Sequence, residues 1–294
     1  MRATMLERGN ETRAIPALAR NIRTDVPGGA VLGRIGPLEV RLARDGSEIA
    51  AAQAVRFRVF YEELGARRHK VHAVEQRDAD RFDAVCDHLL VLDTSLPGSA
   101  GQQIVGTYRL LRQESAIAAG GFYSDEEFQL ESLISRHPDK RFLELGRSCV
   151  LPNYRSKRTI ELLWQGIYAY ISHYNIAVMT GCASFHGTEP SAHAEPLSFL
   201  AHNCRADEHW DVKAVPSRFH RMDMMPADAI DPKAALAAMP PLIKGYLRLG
   251  AKIGDGCVID EDFGTTDVFI ILPVEYVSAR YLNYYGAEAD RFAA

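Results

Sequence analysis

From Leu38 onward the apolar positions fall into regular periods. Leu38-Glu39-Val40-Arg41-Leu42 alternates with period two, as a half-buried strand does. Ile49, Ala52, Val55, Val59 and Phe60 follow at helical spacing, which predicts a helix capped by Ser47 and stopped at Gly65. After a polar loop over 66–84, His88–Leu92 and Gln103–Leu111 flank Pro97-Gly98 and read as two paired strands. A short helix is expected over 125–134 and a strand over 142–150, ended by Pro152. Ile160, Leu163, Trp164, Ile167 and Ile171 make a helical stripe, and a further strand is expected over 176–183.

This order predicts a mixed α/β (α+β) fold: a mostly antiparallel central sheet with one parallel step near its middle, flanked by helices. Residues 1–35 are polar and read as a mobile N-terminal segment; 36–225 would form the main domain. Residues 226–294 read as a C-terminal extension packed on that domain, with a helix over 241–251 and a strand over 266–272.

Composition narrows the function. The 294 residues carry 34 Lys+Arg against 38 Asp+Glu, a net charge of −4, which gives no global reason to expect nucleic acid. No apolar leader follows Met1, and the longest apolar run, 268–277, is broken by Pro273 and Glu275, so neither a secretory signal nor a membrane span is expected. The 5 cysteines are scattered without CxxC spacing, which points to reduced thiols and a cytoplasmic setting. Cys182, His186, His193, His202, Cys204 and His209 match no structural zinc spacing, so no metal is expected.

Charges inside apolar segments are the informative positions. Arg56 lies within Val55–Phe60, Asp80 and Asp83 bracket Phe82, Arg109 stands in Gly106–Leu111, and Glu144 and Arg147 stand in Phe142–Ser148. A charge buried alone costs several kcal/mol, so three arginines and three carboxylates here could neutralise one another. Read singly, they are instead exposed edge charges and surface ion pairs. Glu144 and Arg147 would face opposite sides of a regular strand; a bulge at Gly146 would bring them to one face and splay the neighbouring strand away. The backbone N–H groups so released suit an acyl thioester.

The pattern Arg56-x-x-x-Phe60, Asp80-Arg-Phe-Asp83, Gly106-Thr-Tyr-Arg109-Leu-Leu and Glu144-x-x-Arg147 resembles the acyl-homoserine-lactone synthases of the Gcn5-related N-acyltransferase (GNAT) superfamily. Pro240-Pro-Leu-Ile-Lys-Gly-Tyr-Leu-Arg-Leu-Gly-Ala-Lys-Ile-Gly and Asp262-Phe-Gly-Thr-Thr-Asp267 are similar to the bacterial ornithine–acyl carrier protein N-acyltransferases. The resemblance covers about residues 38 to 285 and implies a GNAT-like sheet with a splayed middle. It also implies transfer of a 3-hydroxyacyl chain from acyl carrier protein to the α-amine of L-ornithine, giving lyso-ornithine lipid. The superfamily's glycine-rich coenzyme A loop is replaced here by Arg155-Ser-Lys-Arg158-Thr-Ile160. That disfavours pyrophosphate and favours a donor carried on the phosphopantetheine arm of acyl carrier protein, with no bound cofactor.

Direct transfer needs no protein nucleophile, because a thiolate with a pKa near ~8.5 leaves readily. Glu144 is the candidate to accept the amine proton, its alternative role being an ion-pair partner of Arg109 or Arg147. The oxyanion site is expected at backbone N–H groups of Ser148, Cys149 and Val150, with Cys149 itself a buried thiol. Arg109 or Arg147 would take the ornithine carboxylate, Asp80 or Asp83 its side-chain ammonium, with Arg56 and Phe60 completing the substrate site. Arg155, Lys157 and Arg158 are the best of three basic clusters for docking an acidic carrier protein. Lys244, Arg248 and Lys252 at i, i+4, i+8 suggest that residues 241–252 either cover the core or touch the inner membrane peripherally. Two alternatives stay open: acylation of a different amine, and a non-catalytic, hemolysin-like membrane-active protein.

Overall fold

The computed structural model describes residues 27–67 and 74–277. An eight-stranded sheet runs through it in the order β1-β2-β3-β4-β5-β6-β8-β7. Its strands are β1 (Val31–Ile35), β2 (Leu38–Leu42), β3 (Asp87–Asp93), β4 (Ile104–Arg112), β5 (Phe142–Val150), β6 (Val178–His186), β7 (Lys252–Asp260) and β8 (Thr265–Pro273). All neighbours are antiparallel except β5 and β6, the single parallel step. The fold is the mixed α/β one expected.

Val31–Ile35, within the segment read as mobile, pairs with β2 as a strand of the sheet, while residues 1–26 of that segment lie outside the described residues. The described part of the expected C-terminal extension, 226–277, supplies β7 and β8, and β8 is bonded to β6 along its whole length, with His186 opposite Thr265 and Val178 opposite Pro273.

Helix α1 (Gly46–Phe57) is capped by Asp45, whose carboxylate accepts from the N–H groups of Ser47 and Glu48, rather than by Ser47. It runs on through a π-helical turn, Arg58–Glu63, towards Gly65. All of β2 is buried, its polar face included, because Arg41 reaches Glu48 of α1 through two bonds of 2.7 and 2.8 Å. The expected half-exposed strand is therefore roofed by a helix.

Besides a single turn at Ala100–Gln103, the longer helices of the described residues are α2 (Gln113–Ala118), α3 (Leu130–Arg136), α4 (Lys157–Tyr174), α5 (Ala194–Asn203), α6 (Pro232–Ala238) and α7 (Pro241–Arg248). The expected helix over 125–134 is a 3-10 turn, Tyr123–Glu126, followed by α3. Helix α4 crosses between β5 and β6 and buries Leu162, Leu163, Ile167, Tyr170 and Ile171; Ile160, at its first turn, stays 51% exposed. Gly166 lets α4 approach the sheet, since a Cβ there would lie 2.7 Å from Val40 Cγ2. Helix α7 buries Ile243 and Tyr246 and ends at Arg248, so Lys252 belongs to β7 and not to a continuous basic stripe.

Candidate active site

The site forms where the parallel step fails. Strand β5 pairs with β6 only from Phe142↔Val178 to Glu144↔Thr180, after which the two part. On the β5 side, Thr107 faces Cys149 while Arg109 faces Gly146, so one extra β5 residue is accommodated. The bulge expected at Gly146 is carried by Arg147, in the left-handed region at φ 50. On the β6 side Gly181 has φ 151, and a Cβ there would collide with the Leu145 carbonyl oxygen. The gap holds a cavity of ≈ 310 Å³ lined by Phe60, Arg109, Glu144, Arg147, Ser148 and Asp267, among others.

The expected charge cluster exists with one member exchanged. Arg56, 0% exposed, donates to Asp78 at 2.7 Å and to Asp83 at 2.9 and 3.0 Å. Arg109 bonds Asp80 at 2.6 Å and lies 3.5 Å from Asp83; Arg147 bonds Asp78 at 3.1 Å and Asp80 at 3.4 Å. Asp78, hidden from sequence reasoning in the polar loop, takes the place foreseen for Glu144. Burial pushes Asp78 up, but Arg147, Arg56 and Arg109 outweigh it and its pKa is lowered; Asp80 is lowered against burial by Arg109 and Arg147. Arg147 also lies between two rings, 4.7 Å from the Tyr123 centroid and 4.5 Å from that of Phe263. Asp80 and Asp83 are thus committed to arginines, and neither lines the cavity.

Glu144 is held by backbone and hydroxyl donors rather than by an arginine, with Arg109 acting on it at longer range. It accepts from the Tyr123 N–H at 2.7 Å, the Ser124 N–H at 2.9 Å and the Ser124 hydroxyl, holding the start of the 3-10 turn. The ion pair with Arg109 or Arg147, the alternative to its role as base, is replaced by these bonds. Burial raises its pKa, and the three donors offset this only in part.

Sequence reasoning missed the cavity's other end. Glu127, Cys182 and Asp267 come together there, their ligand-type atoms all within 4.8 Å of one another. Cys182 donates to Glu127 at 3.2 Å and lies 3.3 Å from the Ser124 hydroxyl. Burial, then Asp267, push Glu127 up to about 7; burial pushes Asp267 up to about 6, with Asp260 adding to it. Asp267 carried the same kind of signal as Arg109, a charge within an apolar strand.

The other expected residues divide. Phe60 and Ser148 line the cavity, and the Ser148 side chain bonds Tyr108. Cys149 instead packs with Ala52, Val55 and Leu90 under α1, and burial pushes its thiol up to about 12. Val150 packs against the main core and its carbonyl accepts from Arg155 at 3.0 Å. Arg155 is further held by Glu63 at 2.6 and 2.7 Å, whereas Lys157, paired with Glu161 only at 3.5 Å, and Arg158 are exposed at the start of α4.

Among known proteins, the acetyltransferase (GNAT) domain family matches residues 55–165. The L-ornithine N(alpha)-acyltransferase of Brucella abortus is 65% identical over 262 residues, covering 89% of this chain and 93% of that one. That of Rhizobium meliloti is 60% identical over 268 residues, covering 91% and 90%. Of the solved structures, the AHL synthase LasI aligns with a TM-score of 0.45 at 10% identity, over 85% of this chain and 95% of that one.

Proposed function

The chain belongs to the L-ornithine N(alpha)-acyltransferases and is an N-acyltransferase, and from that premise we propose that it moves a 3-hydroxyacyl chain from acyl carrier protein to the α-amine of L-ornithine, making lyso-ornithine lipid. The observation that carries this reading is the parting of β5 from β6 beside a cavity that holds both a fixed carboxylate and a guanidinium.

In this reading the thioester lies along the freed edge of β5 and its carbonyl oxygen meets backbone N–H groups between Ser148 and Val150. The α-amine attacks directly, the tetrahedral intermediate collapses, and the phosphopantetheine thiolate leaves. Glu144 takes the amine proton; its raised pKa suits a base better than an ordinary carboxylate would. Arg147, with Tyr123 and Phe263 on its two faces, receives the ornithine carboxylate. Support for a carrier-bound donor comes from the start of α4, where the Ser156 hydroxyl already accepts from the Thr159 N–H at 3.3 Å and Arg158 stands in place of a loop glycine. Lys157 and Arg158 then face the acidic carrier.

The test is a transfer assay on purified protein, offering 3-hydroxyacyl carrier protein and the matching coenzyme A thioester with ornithine or other amines, read by mass spectrometry. N-acyl-ornithine formed from the carrier-bound donor is the expected product. Product on another amine would replace the acceptor, and no product with any amine would end the catalytic assignment of this cavity.

A further inference from the structure

Asp80 and Asp83 are taken up by arginines, so an acceptor with a second ammonium group must find its counter-charge elsewhere. We infer that Glu127 and Asp267 form an anionic subsite for the side-chain ammonium of the acceptor, and that this pair sets the preference for a diamino acid. The inference rests on the acceptor reading proposed above.

The pair is built into the fold from two sides. Glu127 terminates the same 3-10 turn whose first N–H groups hold Glu144, and Asp267 stands on β8 opposite Ser184 of β6. Both are nearly closed off, at 5% and 6% exposure; the Thr265 and Ser184 side chains act on the Asp267 carboxylate, yet Asp267 lines the cavity and its Oδ1 has no hydrogen-bond partner among the described residues. A buried carboxylate oxygen left unpaired is costly, and a donor arriving through the cavity would satisfy it.

Charge balance points the same way. Glu127 and Asp267 face Asp260, which also lines the cavity, and one cation, Arg218, whose Nη2 lies 3.3 Å from Glu127 Oε1 and donates to the Ile259 carbonyl at 2.9 Å. Among the described residues Arg109 and Arg147 of the same cavity are engaged by Asp78 and Asp80, so these three carboxylates, with Arg218 beside them, leave room for a further positive charge. An ammonium offers three donors in a compact group.

Spacing also fits an acceptor held at both ends. Glu144 bonds the Ser124 hydroxyl, which lies 3.3 Å from Cys182 Sγ, itself 3.2 Å from Glu127. The ammonium subsite therefore sits two side chains away from the carboxylate assigned to the α-amine, and Arg147, assigned to the acceptor's carboxylate, lines the same cavity.

The experiment compares kcat/KM for L-ornithine with that for L-norvaline, which keeps the amino-acid end and lacks the side-chain ammonium. The wild-type protein should prefer ornithine strongly, and Asp267→Asn should lower the ornithine-to-norvaline ratio by at least about tenfold, the scale on which losing a buried charge partner acts. Glu127→Gln, which keeps an acceptor for Cys182, carries the same expectation, and thermal unfolding of both variants establishes that they are folded. An unchanged ratio in both folded variants overturns the subsite. So does a wild-type protein that acylates ornithine and norvaline equally, although the acyltransferase reading would survive; a wild-type protein that acylates neither removes that reading itself.

Discussion

Arg147 reaches Asp78 from a left-handed backbone, its Nε donating to Oδ2 at 3.1 Å. The same oxygen accepts Arg56 Nε at 2.7 Å, so one carboxylate ties α1 to the bulge that opens the cavity. Position and charge are coupled here: the strain of a non-glycine residue at positive φ, of order 1–3 kcal/mol, is held by ion pairs and two aromatic faces.

Removing that tie should therefore be expensive. Asp78→Ala leaves Arg56 fully buried with a partner missing, and the expected loss is about 3–5 kcal/mol of folding stability. Urea unfolding measures it. A loss below about 1 kcal/mol would mean that Asp83 alone suffices for Arg56.

The two carboxylate groups respond to pH with opposite sign. Asp78 and Asp80 have lowered pKa values, so between those values and ~4 the unfolded chain binds more protons, and their contribution is complete above that range and lost on acidification. Glu127 and Asp267, raised to about 7 and about 6, bind more protons in the folded chain, so stability falls as pH rises from ~4 to about 7. Burial lowers the pKa of His88 and His137, which act against this fall, so the readout is a difference. Asp267→Asn should gain stability relative to wild type between pH 5 and pH 7.5 in parallel urea titrations. A pH-independent difference would show that Asp267 keeps an ordinary pKa. Bound ornithine should weaken the trend by supplying the missing cation.

Most of the sheet was legible because burial writes a period into the sequence, and β2 to β6 and β8 each carry it. Strand β7 was not, since Lys252-Ile-Gly-Asp-Gly-Cys reads as a turn-rich stretch until Ile270 and Val268 of β8 are placed beside it. Helix α5 was hidden by Pro196 in its first turn, a position where proline costs little. Within the site, Arg56, Arg109 and Arg147 stood out as charges among apolar neighbours. Asp78 did not, because its own neighbours are polar and only the fold carries it inside. Ser47 and Asp45 are both good caps, and a one-dimensional reading cannot choose between them.

Glu144→Gln separates the base from the scaffold. Glutamine keeps one acceptor oxygen, enough for the Ser124 donors on Oε1, loses the bond from the Tyr123 N–H on Oε2, and cannot take up a proton. The expected result is a fall in kcat of about 10²–10⁴ with loss of the acid limb of the kcat/KM profile, while the fold by circular dichroism is kept. A reduced rate whose pH profile retains that limb would assign Glu144 to holding the turn alone.

The start of α4 offers the last test. Lys157 is 90% exposed on its side chain and pairs only loosely with Glu161, at 3.5 Å, whereas Arg155 is held by Glu63 at 2.6 Å. Charges free of partners steer an acidic carrier; a charge already paired contributes packing instead. Reversing Lys157 and Arg158 to Glu should slow transfer from acyl carrier protein about tenfold or more at low salt. The defect should shrink as ionic strength rises and the Debye length falls from ~10 Å at 0.1 M. Arg155→Ala should change the midpoint of unfolding more than the salt dependence. If the double reversal leaves the carrier-dependent rate unaltered at low salt, the carrier approaches the cavity from another face.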